Sequence, residues 1–300
     1  MIDIFNRSKT GPAIFTRPCT VTNTQWETWR KPDGVGLVHI LCIGGGGGGG
    51  GGFTGIAGAA RGGGAGGGSS GNTRVVVPAC LLPDVLFVQV GAGGLGVESG
   101  GGTAGSGVLS YVAVAPDTVV GNVLVLSGAA GAAGGTTGTG TAGGVGGAAG
   151  TIAVVSSFAG LGSFDAIAGR AGTDGGAETG AGGTDIAIAT TSSLCGPGLG
   201  GAGTTSANFG GGRYTATAGS WLSEQRPAPP ASGSFDGSGG LQLWAPFWSF
   251  GGTGGSASNT GIGGNGGIGA CGAGGGGGGG GTTGGRGGDG GGGIVIITAW

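Results

Sequence analysis

Short runs of Val, Ile and Leu, each closed off by glycine, set the rhythm of the chain. Leu37-Val38-His39-Ile40-Leu41-Cys42-Ile43 and Ile294-Val295-Ile296-Ile297 are continuous apolar runs, of the length expected for strands buried on both faces. Comparable β-like runs occupy 74–77, 85–90, 108–114, 119–126, 151–158 and 185–190. Several of them alternate, as in Asp185-Ile186-Ala187-Ile188-Ala189. Pro78, Pro83 and Pro116 fall between these runs, where a missing backbone donor does least harm. Only 161–168 offers an amphipathic helical option, so the pattern predicts an all-β chain with essentially no α-helix.

Between the strands lies glycine. Gly44 to Gly52 form nine consecutive glycines directly after the first run, and Gly274 to Gly281 form eight shortly before the last. A loose glycine tract is an entropic liability, because glycine loses more backbone freedom on folding than any other residue. Collagen needs glycine at every third position with abundant proline, and unbroken runs violate that rule. A bundle of polyproline-II-type glycine helices suits the tracts better. Such a helix has three residues per turn and no internal hydrogen bonds, so every N–H and C=O must find an adjacent chain. A nine-residue tract would span roughly 28 Å at its rise. The expected fold is therefore antiparallel, β-sandwich-like strands combined with packed polyglycine-II helices.

Composition sharpens that expectation. Glycine and proline together supply 102 of 300 residues, which alone suggests low complexity or disorder. Only 8% of residues are charged and the net charge is −2, while mean hydropathy is positive. Disordered chains stay soluble through high charge and low hydrophobicity; this chain has neither, so it must fold, assemble or precipitate. Residues 1–9 carry mixed charge without an apolar centre, unlike a secretory leader. No apolar stretch reaches the 18 residues of a membrane span. Cys19, Cys42, Cys80, Cys195 and Cys271 are odd in number, scattered and without a CxxC pair. That argues against a zinc site or a disulfide framework and for buried thiols in a reducing compartment.

Catalytic chemistry finds little footing. With glycine at 91 of 300 positions, matches to Gly-x-Gly-x-x-Gly carry no information. The only lysines, Lys9 and Lys31, follow no glycine, so no phosphate-binding loop is present. His39 is the sole histidine and sits inside an apolar run, which excludes histidine triads and histidine-rich metal sites. Asp174, Glu178 and Asp185 are the closest acidic group. Gly284 to Asp289 partly imitates a calcium β-roll repeat, but lacks the tandem copies and the large apolar residue that repeat requires. The expectation is a non-enzymatic chain with no cofactor and no metal.

Three stretches organise the sequence. Residues 1–33 hold five basic and three acidic residues, a local +2 that is too small for a nucleic-acid claim. They read as an N-terminal attachment arm, or alternatively as a strand closing over the core. Residues 34–300 read as one glycine-rich domain with a glycine-poor aromatic insert at 213–250. Trp221, Trp244, Phe247, Trp248 and Phe250 are its dense aromatic group. They are candidates for an interface gripping a receptor, a glycan or another subunit, or for a small core supplying burial that glycine cannot.

Two motifs at the ends carry a resemblance. Trp26-Glu27-Thr28-Trp29-Arg30-Lys31-Pro32 leads into a strand and a glycine tract, and Asp289 to Trp300 closes the chain through Ile294-Val295-Ile296. Over about 26–300 the chain resembles the glycine-rich domain of bacteriophage tail-fibre and related virion proteins. It is similar to the receptor-binding adhesins at the fibre tips of T-even-type phages, with more regular strands and fewer tyrosine-rich loops. The resemblance implies a virion component made in the host cytoplasm: a fibre, a fibre tip or a surface-decorating protein. It implies host attachment without membrane insertion or nucleic-acid binding, and homo-oligomerisation, with a trimer favoured. Under it the arm, with Phe5, Arg7, Phe15, Arg17, Trp26 and Trp29, docks onto other virion proteins, and distal loops meet the host surface. Capsid decoration or tail scaffolding without a receptor role is the alternative. An ice- or glycan-binding glycine-helix protein is a more distant one.

Overall fold

The computed structural model describes residues 13–16, 25–117, 125–129, 132–152, 162–187, 194–215, 233–244 and 247–300. In chain order the strands are β1 (Ala13–Thr16), β2 (Glu27–Arg30), β3 (Leu37–Ile43), β4 (Asn72–Pro78), β5 (Val85–Gln89), β6 (Ser110–Ala113), β7 (Val125–Ala129), β8 (Ser163–Ile167), β9 (Ile186–Ala187), β10 (Tyr214–Thr215), β11 (Gln242–Trp244), β12 (Phe247–Ser249) and β13 (Ile294–Ala299). Among the described residues the helical content is a single 3-10 turn at Ala79–Leu81. The chain is all-β with antiparallel main sheets.

The apolar runs pair as their burial demands. One sheet has the order β1-β13-β3-β4-β8 and the other β2-β5-β6-β7, every neighbouring pair antiparallel. β3 and β13, the most apolar runs, lie inside their sheet with Ile40 opposite Ile297 and Cys42 opposite Val295. Val38, Ile40, Cys42, Val75, Val77, Val295 and Ile297 from the first sheet share one apolar cluster with Trp29, Leu86, Val88, Val112 and Ala129 from the second.

One expectation changes here. The helical option at 161–168 is overturned: Ser163 to Ile167 form β8, with Phe164 opposite Val75 and Asp165 opposite Arg74. Alternation and an open sheet edge outweigh a weak helical period. Within residues 1–33, Ala13–Thr16 pair with β13 and Glu27–Arg30 pair with β5. The runs at 119–124, 153–158 and 188–190 fall outside the described residues, and 151–152 are not strand.

Strands continue directly into glycine-rich extended segments. Leaving the sheets, 44–53, 91–97, 132–139, 170–177, 196–204, 252–258 and 272–281 run one way; 61–71, 104–108, 142–150, 181–187, 209–213, 235–241, 262–269 and 284–292 return. Each outgoing segment meets its return through a turn, so the sheets lie at one end and the turns at the other.

Lateral hydrogen bonds tie these segments together with a period of three residues. Gly44, Gly47, Gly50 and Phe53 donate to the carbonyls of Gly71, Gly68, Ala65 and Gly62; Gly46, Gly49 and Gly52 donate to Gly291, Gly288 and Gly285; Gly45 and Gly48 donate to Val108 and Gly105. Those three acceptor segments run antiparallel to the tract. Its carbonyls in turn receive N–H groups from three parallel segments: Gly94 and Val97, Ala132, Gly135 and Gly138, and Gly275 and Gly278. Six neighbours therefore surround 44–53. The same holds for 272–281, which bonds 44–53, 196–202, 264–267, 252–258, 64–67 and 285–288.

Glycine is obligatory in this arrangement because the backbones touch. A Cβ on Gly45 or Gly48 would overlap the carbonyl of Ala92 or Leu95; on Gly46, Gly49 or Gly52, that of Ala273, Gly276 or Gly279; on Gly47 or Gly50, that of Ala133 or Thr136. Where a segment faces outward, side chains return at every third position. Ala142, Val145, Ala148 and Thr151 are exposed along one segment, and Ile262, Asn265 and Ile268 along another.

Candidate functional site

The two ends of the glycine lattice present different chemistry. At the turn end, polar side chains from separate turns bond one another. Thr54 Oγ1 donates to Ser99 Oγ at 2.8 Å, and the Gly284 N–H donates to Thr54 Oγ1. Asn259 Oδ1 accepts from the Gly58 N–H and from the Arg61 guanidinium at 2.8 Å. The Asn259 amide donates to the Ser206 carbonyl, and Asn208 Oδ1 accepts the Asn259 N–H. Arg61 is fully buried and reaches the carbonyls of Ala59, Ser258 and Thr205. It caps carbonyl groups where outgoing segments finish. Ile56, 81% exposed, projects from the longest of these turns.

At the sheet end stands the aromatic hairpin β11–β12, registered Gln242↔Ser249, Leu243↔Trp248 and Trp244↔Phe247. Alternation divides its side chains. Leu243 and Trp248 pack on a cluster of Leu199, Tyr214 and Phe250, in which Tyr214 and Phe250 meet edge to face at 5.5 Å. Phe247 packs against Leu41, Ile43, Cys195 and Ile294. Trp244 contacts Phe247 edge to face at 5.9 Å yet stays 55% exposed. Phe250 is thus core, Phe247 and Trp248 are half-buried, and Trp244 is the exposed contact group. Trp221 lies outside the described residues.

Of the residues expected to dock, Trp29 is 7% exposed and belongs to the main core. It faces inward because β2 alternates, leaving Thr28 and Arg30 outside. Trp26 is half-buried beside β2, and Phe15 lies on β1 opposite Val295. Phe5, Arg7 and Arg17 lie outside the described residues.

Sequence reasoning missed two sets of residues. The turn-end polar network is one; its signal was the glycine-poor breaks between tracts, such as Phe53 to Arg61. The other is a set of side-chain acceptors that replace a missing carbonyl at the rim. Asp174 accepts the Gly146 N–H, Asp236 that of Asn265, Asn265 that of Arg286, and Asp289 that of Gly96. Asp289 also pairs with Arg286 at 2.7 Å. The calcium-like stretch therefore places its carboxylate on an arginine and a backbone N–H. Among the described residues, no cluster of His, Cys, Asp and Glu could hold a metal ion, and no helix is long and apolar enough to cross a membrane.

Burial governs the titrating groups. It lowers the His39 pKa, with Arg74 adding to the effect. It raises Tyr111, with Cys42 contributing. The Cys195 thiol is pushed up to about 12 by burial and then by Cys271. Burial also raises Tyr214 and Cys271. The Tyr214 hydroxyl donates to the Pro197 carbonyl and accepts the Gly251 N–H at 2.9 Å. In each case burial favours the uncharged form.

No family model matches the chain, and no curated protein matches its sequence.

Proposed function

We propose that this chain is a non-enzymatic structural protein of a bacteriophage particle, a tail fibre or fibre-like surface protein that takes part in host attachment. In this reading the glycine segments are polyglycine-II helices and the two main sheets form a sandwich at their base. The supporting observation is the two-ended construction: Gly44 to Gly52 bond six neighbouring segments, and polar turns are displayed at the end away from the sheets. A particle exterior must persist without chaperones or energy, and a lattice in which nearly every inner N–H finds a carbonyl meets that demand. The sheet end, with β1, β2 and exposed Trp244, is the side that docks to other virion proteins. The turn end, with Ile56, Ser99, Ser206 and Asn259, is the side that meets a host receptor or glycan. A homotrimer fits a fibre built this way.

The test combines imaging with competition. Antibody to the purified chain should label intact particles, and the purified chain should slow particle adsorption to host cells. Absence from purified particles would sink the virion reading. Labelling without competition would favour a decorating or scaffolding protein with no receptor role. Amide exchange in 44–52 and 274–281 as fast as in an unstructured peptide would remove the helical lattice.

A further inference from the structure

Cys195 and Cys271 meet where two of the most enclosed segments begin. Cys195 opens 196–204 and Cys271 opens 272–281, parallel neighbours joined by the bonds from Gly274, Gly277 and Gly280 to Gly196, Leu199 and Ala202. Cys195 is fully buried and its Sγ lies 3.6 Å from the Cys271 carbonyl oxygen. The Cys271 side chain packs against the same buried cluster that holds Cys195. The Ser70 hydroxyl faces Cys195 and the Gln242 amide faces Cys271. Gly272, at φ +71°, leaves the room: a Cβ there would come within 3.0 Å of Cys195 Sγ and 2.8 Å of Ser70 Oγ. The surrounding side chains Ile43, Ile294 and Phe247 are apolar, a setting that holds an uncharged disulfide more readily than a thiolate.

We propose that Cys195 and Cys271 form a latent cross-link, closed as a disulfide when the protein passes from a reducing compartment to an oxidising one. The oxidant class is a small-molecule disulfide such as oxidised glutathione. Cys271, the less buried thiol, attacks first as its thiolate. A bond forms between its sulfur and one glutathione sulfur, and the other glutathione leaves with a proton. The Cys195 sulfur then attacks the Cys271 sulfur, and its proton passes to the second glutathione as that leaves. Two protein thiols are oxidised by two electrons and the oxidant is reduced to two thiols. The product fastens 196–204 to 272–281 at their bases and closes the loop between them, which restricts the unfolded chain. This inference stands apart from the virion reading and is tested apart from it.

The full-length protein is incubated with oxidised glutathione at mildly alkaline pH, quenched, alkylated in denaturant and digested with trypsin. Peptides 171–213 and 214–286, the latter spanning the trypsin-resistant Arg226-Pro227 bond, should appear as one species two hydrogens lighter than their sum. Exposed Cys80 should carry glutathione, which proves the oxidant active. The melting temperature should rise by about 5–10 °C on oxidation. Reductant should reverse the rise, and both C195S and C271S should lack it. Separate alkylation of Cys195 and Cys271 while Cys80 is modified would overturn the cross-link. So would a stable glutathione adduct on Cys271. A cross-link without a melting shift would overturn its role as a lock.

Discussion

Gly49 donates to the Gly288 carbonyl, accepts from Val97, and has the Gly276 carbonyl where a methyl group would go. Its neighbours are backbone, so they cannot rotate aside. Gly49→Ala should therefore cost about 3 kcal/mol or more, at the upper end of overpacking effects. Gly239, on an outer segment, has its nearest obstacle at 3.8 Å; Gly239→Ala should stay within about 0.5 kcal/mol of the parent. Denaturant midpoints of the two variants measure the contrast, and equal costs would contradict close backbone packing. That both positions carry glycine was plain in the sequence, but which one is enclosed was not. A residue without a side chain leaves no pattern of its own, and its partners lie far away in the chain.

Strands were far more legible. The run at 37–43 is β3, and 74–77 and 85–90 fall on β4 and β5, because β-branched residues closed off by glycine and proline leave few alternatives. β8 escaped because Phe164 and Ile167 suit a helical spacing as well as a strand, and only pairing with β4 decides between them. The outer segments did carry a readable signal: Ile262, Asn265 and Ile268 recur at the period of a three-residue turn. The rim acceptors belong to the same scale, since each lets one segment end the lattice for its neighbour. Asp289→Ala removes the acceptor of the Gly96 N–H and the partner of Arg286, and should cost about 2 kcal/mol. Asp289→Asn keeps an oxygen for Gly96 and should lose less. If both variants melt with the parent, the carboxylate contributes nothing to the lattice.

At the scale of the molecule, the groups that link stability to pH among the described residues have signs that can be worked out. The fold favours the protonated Cys195 thiol, raised from 9.0 to about 12. Its contribution is complete below about pH 9 and fades as pH climbs towards 12. Tyr214, raised above its ordinary 10.0, acts in the same sense at higher pH. His39, lowered from 6.5, is favoured neutral; the unfolded chain takes up its proton first, so stability slips as pH falls below about 6.5. Melting temperature under reducing conditions should hold level between about pH 6.5 and 9 and decline on either side. Cys195→Ala should flatten the first part of the alkaline decline. A decline unchanged by that variant would assign it to other groups.

The threefold repeat of lateral bonds also quantises length. Inserting or deleting one or two residues within 44–52 would rotate every later amide away from its acceptor. A change of three, matched in the returning segment 61–71, restores all six contacts one turn further along. Such a molecule can lengthen or shorten only in whole triplets, and related chains should differ inside their tracts by multiples of three while their turns vary freely.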